Sequence, residues 1–312
     1  MTFFSVLLAL VFEQFHALGR HNPVHTFFRR YAAFAELKLD AGEARHGRLA
    51  WWLVVLPPAV LVALIHVALL QTSFLPAALW NITMVYLTMG FRQFSHYFTD
   101  IHKALDKNNL PAARELLAEW TGMDTTEMAA QDIARHTLER AILAAHRHVF
   151  GVFFWFLVPI GPAGVVIYRI AGYLAREWDK PALERSPTLG LFAQKAFHVI
   201  DWVPARLTSI GFAIVGNFED AVYAWRNYAS RWGDRSEGVL LAAGAGALGV
   251  RLGPPQAERS SEEVLAAGDD NLIEIGEETS ARALQSAVGL VWRAVILWML
   301  LLAMLSVAVW LG

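Results

Sequence analysis

No cysteine occurs among the 312 residues, which removes disulfides, thiolate metal sites and cysteine nucleophiles from consideration. Charge is scarce as well: 17% of residues are charged against 56% hydrophobic, and the mean hydropathy is +0.38. A soluble domain of this size is rarely so apolar, whereas a polytopic integral membrane protein is built this way. The formal charge of −2 supplies no basic field, so nucleic acid is not an expected partner. The glycine-rich stretch Ala242–Gly253 lacks the Gly-Lys-Ser/Thr ending of a phosphate loop and reads instead as close helix packing through small residues. No spacing of Ser, His and Asp suggests a hydrolase nucleophile. The first apolar run has no charged segment before it and no small-residue cleavage site, so it reads as a retained helix, not a removable signal.

What is present is a series of long apolar runs. Met1–Leu18, Leu49–Gln71, Phe74–Phe91, Val149–Ala175, Leu191–Val215 and Val288–Leu311 together predict about five transmembrane or re-entrant segments. The fold class expected is therefore all-α, polytopic and membrane-embedded. Pro57-Pro58 predicts a kink in the second run, and the very short connection to Phe74 predicts a helical hairpin. Pro159-Ile-Gly-Pro162 interrupts the run from Val149, leaving a kinked span and a re-entrant hairpin both open. The basic stretch Gly19–Arg48 predicts a cytoplasmic loop and a periplasmic N-terminus in a bacterial inner membrane.

Between 92 and 148 charges punctuate apolar positions at helical spacing: Phe94, Phe98, Ile101 and Leu105, then Leu110, Ala113, Leu116, Leu117 and Trp120. This predicts two or three amphipathic helices in a cytoplasmic insertion, broken near Asn108-Asn109 and at Gly122, with Thr125 or Thr126 capping the last. Residues 217–253 mix aromatic side chains with small ones, and Gln256–Ser286 carries eight carboxylates against Arg259 and Arg282, as an exposed linker would. The resulting division is 1–91, 92–148, 149–216, 217–286 and 287–312.

Polar residues inside apolar runs are the candidate site. An ionisable group at a helix centre in lipid costs on the order of 2.5–3.5 kcal/mol, so it faces protein or water and marks function by default. Asp201 and Arg206 flank Pro204 in this way, with His198 nearby. Their five-residue separation is poor for a helical pair, so a structural ion pair and a ligand cavity both stay open. His136, Glu139, His146 and His148 are spaced too widely along one helix for a single ion, so no metal is expected; solvated or pH-sensing histidines are the alternative. No cofactor is expected.

At Asp201-Trp-Val-Pro-Ala-Arg-Leu207 the chain resembles the superfamily of CobD/CbiB and AmpE membrane proteins. Further landmarks follow in order: His21-Asn-Pro-Val24, Arg45-His-Gly47, Leu110-Pro-Ala-Ala-Arg114, Gly122-Met-Asp124-Thr125, Arg135 with Glu139, Tyr168-Arg169, and Ala245–Gly253. The resemblance adds Arg169, Glu139, Arg135 and Asp124 to Asp201, Arg206 and His198 as a polar cluster that binds a ligand or holds the fold. It also names two functions. The synthases of the family join an amine to a corrinoid carboxylate using nucleotide chemistry. Where they carry acids and amides suited to magnesium and phosphate, this chain has Leu143-Ala144, Arg147-His148, Gly172–Ala175 and Phe197-His198. Those departures, with Leu8–Glu13, Phe27–Arg30 and His198–Pro204, look like the AmpE branch. The expectation is thus a non-enzymatic regulatory, sensory or assembly protein that works with a membrane-protein partner or a second copy of itself. The alternative is a diverged adenosylcobinamide-phosphate synthase with a corrinoid or nucleotide ligand.

Overall fold

Apart from one parallel bridge between Val250 and Glu277, every regular element among the described residues is helical. The computed structural model describes residues 2–15, 28–34, 36, 44–179, 187–233, 235–253 and 276–311. Most of the basic stretch before Ala44, and the greater part of the acidic stretch after Pro255, lie outside them. The helices are α1 (Thr2–Phe15), α2 (Ala44–Thr72), α3 (Phe74–Thr88), α4 (Phe91–Asp106), α5 (Leu110–Thr121) and α6 (Ala130–Ala145). A π-helical turn, His146–Phe150, then leads into α7 (Gly151–Leu157), α8 (Pro162–Glu177), α9 (Pro187–Val215), α10 (Phe218–Tyr228), α11 (Arg235–Leu248) and α12 (Ala281–Leu311).

Two helices are long and apolar enough to cross a bilayer, Arg45–Thr72 and Ala281–Ala308. Only 17% and 33% of their most apolar windows are buried. A core helix of a soluble protein would bury most of such a window, so these surfaces require lipid. The chain is an all-α membrane protein. α2 runs unbroken through Pro57 and Pro58, and Ser73 is the single non-helical residue before α3, which packs back on α2 as the hairpin expected. The apolar helices α1 and α3 are shorter, at 14 and 15 residues.

The chain divides into two compact units. The first comprises Met1–Gln93, Arg147–Val203 and Leu302–Gly312. In it α8 packs on α2, α3 and α7, and α1 packs on α3. The proline-glycine interruption becomes a turn: Gly161, at φ +58°, ends the path of α7, and α8 returns against it with Gly164 under the Trp155 carbonyl. A helical hairpin, not a kinked helix, is the outcome. By contrast, α9 continues through Pro204 without a break.

The second unit comprises Phe94–His146 and Pro204–Leu301. Its insertion contains three amphipathic helices with the breaks expected: the Asn109 side chain caps α5, and Gly122, at φ +76°, closes it in the left-handed conformation. Tyr97, Ile101, Ala104, Ala113, Leu117 and Ile133 form its core, with Tyr97 stacked on Trp120 at 5.9 Å and donating to Glu119 at 2.7 Å. Neither Thr125 nor Thr126 caps α6. Thr125 donates to the Arg114 carbonyl and Thr126 to Asp124, so both hydroxyls close the preceding loop instead. α11, the glycine-rich helix, packs on α10 and α6, as its small residues predict.

Candidate functional site

The candidate residues divide between the units. Asp201, Arg169 and His198 belong to the first; Glu139, Arg135, Asp124 and Arg206 belong to the second.

In the first unit the site begins with a glycine. Gly151 opens α7, and any Cβ there would overlap the ring of Tyr168 on α8. That space lets the fully buried Tyr168 lie against Phe197, with ring centroids 5.6 Å apart, and aim its hydroxyl at α9. Tyr168 Oη donates to Asp201 Oδ1 at 2.8 Å, and Asp201 is only 4% exposed. Beside it, Arg169 Nη1 donates to His148 Nδ1 at 3.1 Å and to the Arg147 carbonyl at 3.5 Å. A guanidinium has no acceptor, so His148 Nδ1 must offer its lone pair, and the imidazole is neutral with its proton on Nε2. Glu13 lies within electrostatic reach of Arg169, and both Arg147 and Arg169 act on Tyr168. His198 is half-buried on α9. Arg206 follows Asp201 by five residues on α9 and belongs to the second unit.

Sequence reasoning placed Asp201 and Arg169 but missed Tyr168, His148 and Glu13 as site groups. Glu13 carried a signal, since Ser5, Val6, Ala9, Leu10 and Glu13 repeat at helical spacing and are all buried. The Tyr168–Asp201 contact spans 33 residues, and no local pattern announces it.

In the second unit Arg135 is a tie. Its Nη2 meets Asp132 at 3.1 Å, and its Nη1 reaches the Gly253 carbonyl at 3.3 Å and Glu139 at 4.0 Å. His136 Nδ1 lies 3.4 Å from Glu139. Alongside, Gln131 donates to Glu278 and Thr279 to the Arg251 carbonyl, so α6 holds the segments on either side of 254–275. Arg135→Ala is expected to destabilise this unit by about 2 kcal/mol, because the Gly253 carbonyl loses its donor and a mostly buried Glu139 loses a nearby positive charge. Thermal unfolding of the purified protein reads this, and an unchanged midpoint would show the tie to be idle. Asp124 is exposed and accepts from the Thr126 amide and hydroxyl, which hold its carboxyl below the usual carboxylate range.

The four residues once weighed for a metal do not share a point: His146 pairs with Thr208 at 2.9 Å and His148 with Arg169. Among the described residues no three acids or imidazoles gather.

Comparison with known proteins bears on what the arrangement is for. A model of the CobD/Cbib protein family matches residues 3–291. The cobalamin biosynthesis protein CobD of Stutzerimonas stutzeri is 32% identical over 96% of both chains. That of Mycobacterium tuberculosis is 30% identical over 76% of this chain and 75% of its own. Protein AmpE of Shigella flexneri is 26% identical over 72% of this chain and 78% of its own. No solved structure matches. These likenesses overturn the expectation of a non-enzymatic AmpE-like regulator, since the likeness to proteins named for cobalamin biosynthesis is higher and covers more of the chain. Arg147 and His148, two of the residues read as departures, hold Arg169 in this chain. The chain belongs to the CobD/CbiB family of membrane proteins.

Proposed function

We propose that this protein is an enzyme of cobalamin biosynthesis that forms an amide between an amine and a corrinoid carboxylate, with its chemistry in the polar interior of the first unit. The observation that carries the reading is likeness to a CobD protein across 96% of both chains. Supporting it, an acid and a phenol share a proton-holding contact among buried helices, where structural need alone does not call for charge.

Amide formation needs a base for the proton that leaves the attacking amine nitrogen as the C–N bond forms. Asp201 is the base in this reading. Tyr168 orients the carboxylate by donating to Oδ1, and the carboxylate receives the proton. A nucleoside triphosphate first transfers its terminal phosphoryl group to the corrinoid carboxylate; the amine nitrogen then attacks the acyl carbon, and as the C–N bond forms the C–O bond to phosphate breaks and inorganic phosphate leaves. The enzyme lies in the bacterial inner membrane, with the N-terminus in the periplasm and the α4–α6 insertion in the cytoplasm.

Expression in a strain that lacks its own CobD tests the function. Growth that depends on cobalamin made from a corrinoid acid and an amine is expected to return, with the amide product visible by mass spectrometry. Failure to grow with the protein present in the membrane would reject it. Topology is tested on a chain with no cysteine of its own: Lys107→Cys, exposed just after α4, is expected to react with an impermeant maleimide only after the inner membrane is opened. Labelling of intact spheroplasts would invert the orientation.

A further inference from the structure

We infer that Arg169 is the receptor for a substrate oxyanion, a phosphoryl or carboxylate group, and that it takes this group directly, without a bridging metal ion. The inference deepens the proposed function and rests on it for which molecule carries the oxyanion.

Arginine stays protonated inside a protein, so a guanidinium within a fold needs an anion or a full set of acceptors. Arg169 is half-buried on α8, and both of its hydrogen-bond acceptors, the Arg147 carbonyl and His148 Nδ1, are uncharged and sit on one nitrogen, Nη1. Among the described residues no carboxylate oxygen comes within 4 Å of it, and Glu13 reaches it only as a charge at longer range. The Nε and Nη2 edge, the fork that matches two oxygens of a phosphate or carboxylate, accordingly keeps its donors. His148 and the Arg147 carbonyl fix the guanidinium from behind through Nη1, so the fork is oriented before any ligand arrives.

The sign of the surroundings argues against a metal bridge. The guanidinium groups of Arg147 and Arg169 both act on Tyr168, while of the nearby acids Asp201 is engaged by the Tyr168 hydroxyl and Glu13 reaches Arg169 only at longer range. A divalent cation close to two guanidinium groups would be repelled, whereas an oxyanion is attracted.

The test uses the full chain in neutral detergent with excess EDTA and inorganic triphosphate as the probe, followed by calorimetry. Wild type is expected to bind without magnesium. Arg169→Met, which keeps an apolar stem, is expected to weaken binding by more than about tenfold, and Arg169→Lys to weaken it through loss of the fork. Circular dichroism and size exclusion establish that each variant is folded. If Arg169→Met does not fold, Arg169→Lys alone decides. A parallel arm in nanodiscs compares phosphatidylglycerol with phosphatidylcholine. Competition of triphosphate by phosphatidylglycerol in wild type but not in Arg169→Lys would make the resident oxyanion a lipid headgroup. Binding that appears only with magnesium, or that is unaffected by both substitutions, overturns the inference. Binding that persists in a protein unable to form the amide would leave the oxyanion site standing and reject the enzyme reading alone.

Discussion

Asp201→Asn is expected to leave the chain folded while lowering amide formation by at least about a hundredfold, the scale of a lost general base. The asparagine keeps an oxygen in the position that accepts the Tyr168 hydroxyl, so the α8–α9 contact survives. What it loses is the charge and the capacity to take a proton. Asp201→Ala is the harsher change. It leaves the fully buried Tyr168 hydroxyl without its acceptor and removes a negative charge from beside a phenol on which Arg147 and Arg169 both act. Stranding one partner of a buried polar contact costs about 3 kcal/mol, so this variant is expected to melt earlier in detergent as well as to lose turnover. Turnover by the corrinoid amide assay and melting by fluorescence separate the two effects. If Asp201→Asn turns over like wild type, Asp201 is a structural acceptor for Tyr168 and the base lies elsewhere.

How much of this was legible in the sequence depended on the range of each interaction. The ends of α5 were plain, because Asn109 and Gly122 act through their own backbone and nearest neighbours. The hairpin of α2 and α3 was plain for the same reason. The start of α9 at Pro187 was not, because Lys195 and Gln194 sit on its exposed side and shorten the apolar run without shortening the helix. The capping role given to Thr125 and Thr126 failed because each hydroxyl found a partner in the loop: a carbonyl 11 residues back for Thr125, and Asp124 for Thr126.

The site was legible by residue type but not by partner. Asp201 and Arg169 stood out as charges in apolar surroundings, and for Asp201 an ion pair with Arg206 and a ligand cavity both stayed open. The partner that the structure shows for Asp201 is a phenol on another helix, which donates its hydroxyl proton to the carboxylate. Function was misjudged in a related way. Single motif positions were weighed as if each acid or amide could be replaced only by nothing, whereas Arg147 and His148 supply different polar chemistry at the same place.

Gly246→Ala is expected to cost about 3 kcal/mol or more and to loosen the second unit, although it adds one methyl group inside a helix that alanine ordinarily favours. A Cβ at Gly246 would overlap the Asp220 carbonyl and come within 2.7 Å of Ala221 Cα, all backbone of α10. Backbone in a helix cannot rotate aside as a side chain does, so α10 and α11 must separate. The separation would spread, because Gly216 packs on Ala247 in the same seam and Ala221, Ala224 and Tyr228 form the buried face of α10. Gly244→Ala is the control. Its Cβ would meet only the end of the Ile142 side chain, at 2.9 Å, which can change rotamer, so a smaller loss is expected. Limited proteolysis and thermal melting of both variants give the comparison, with Gly246→Ala the more labile. Equal stability of the two would mean that the α10–α11 seam yields as a body and that glycine at 246 is not what sets its closeness.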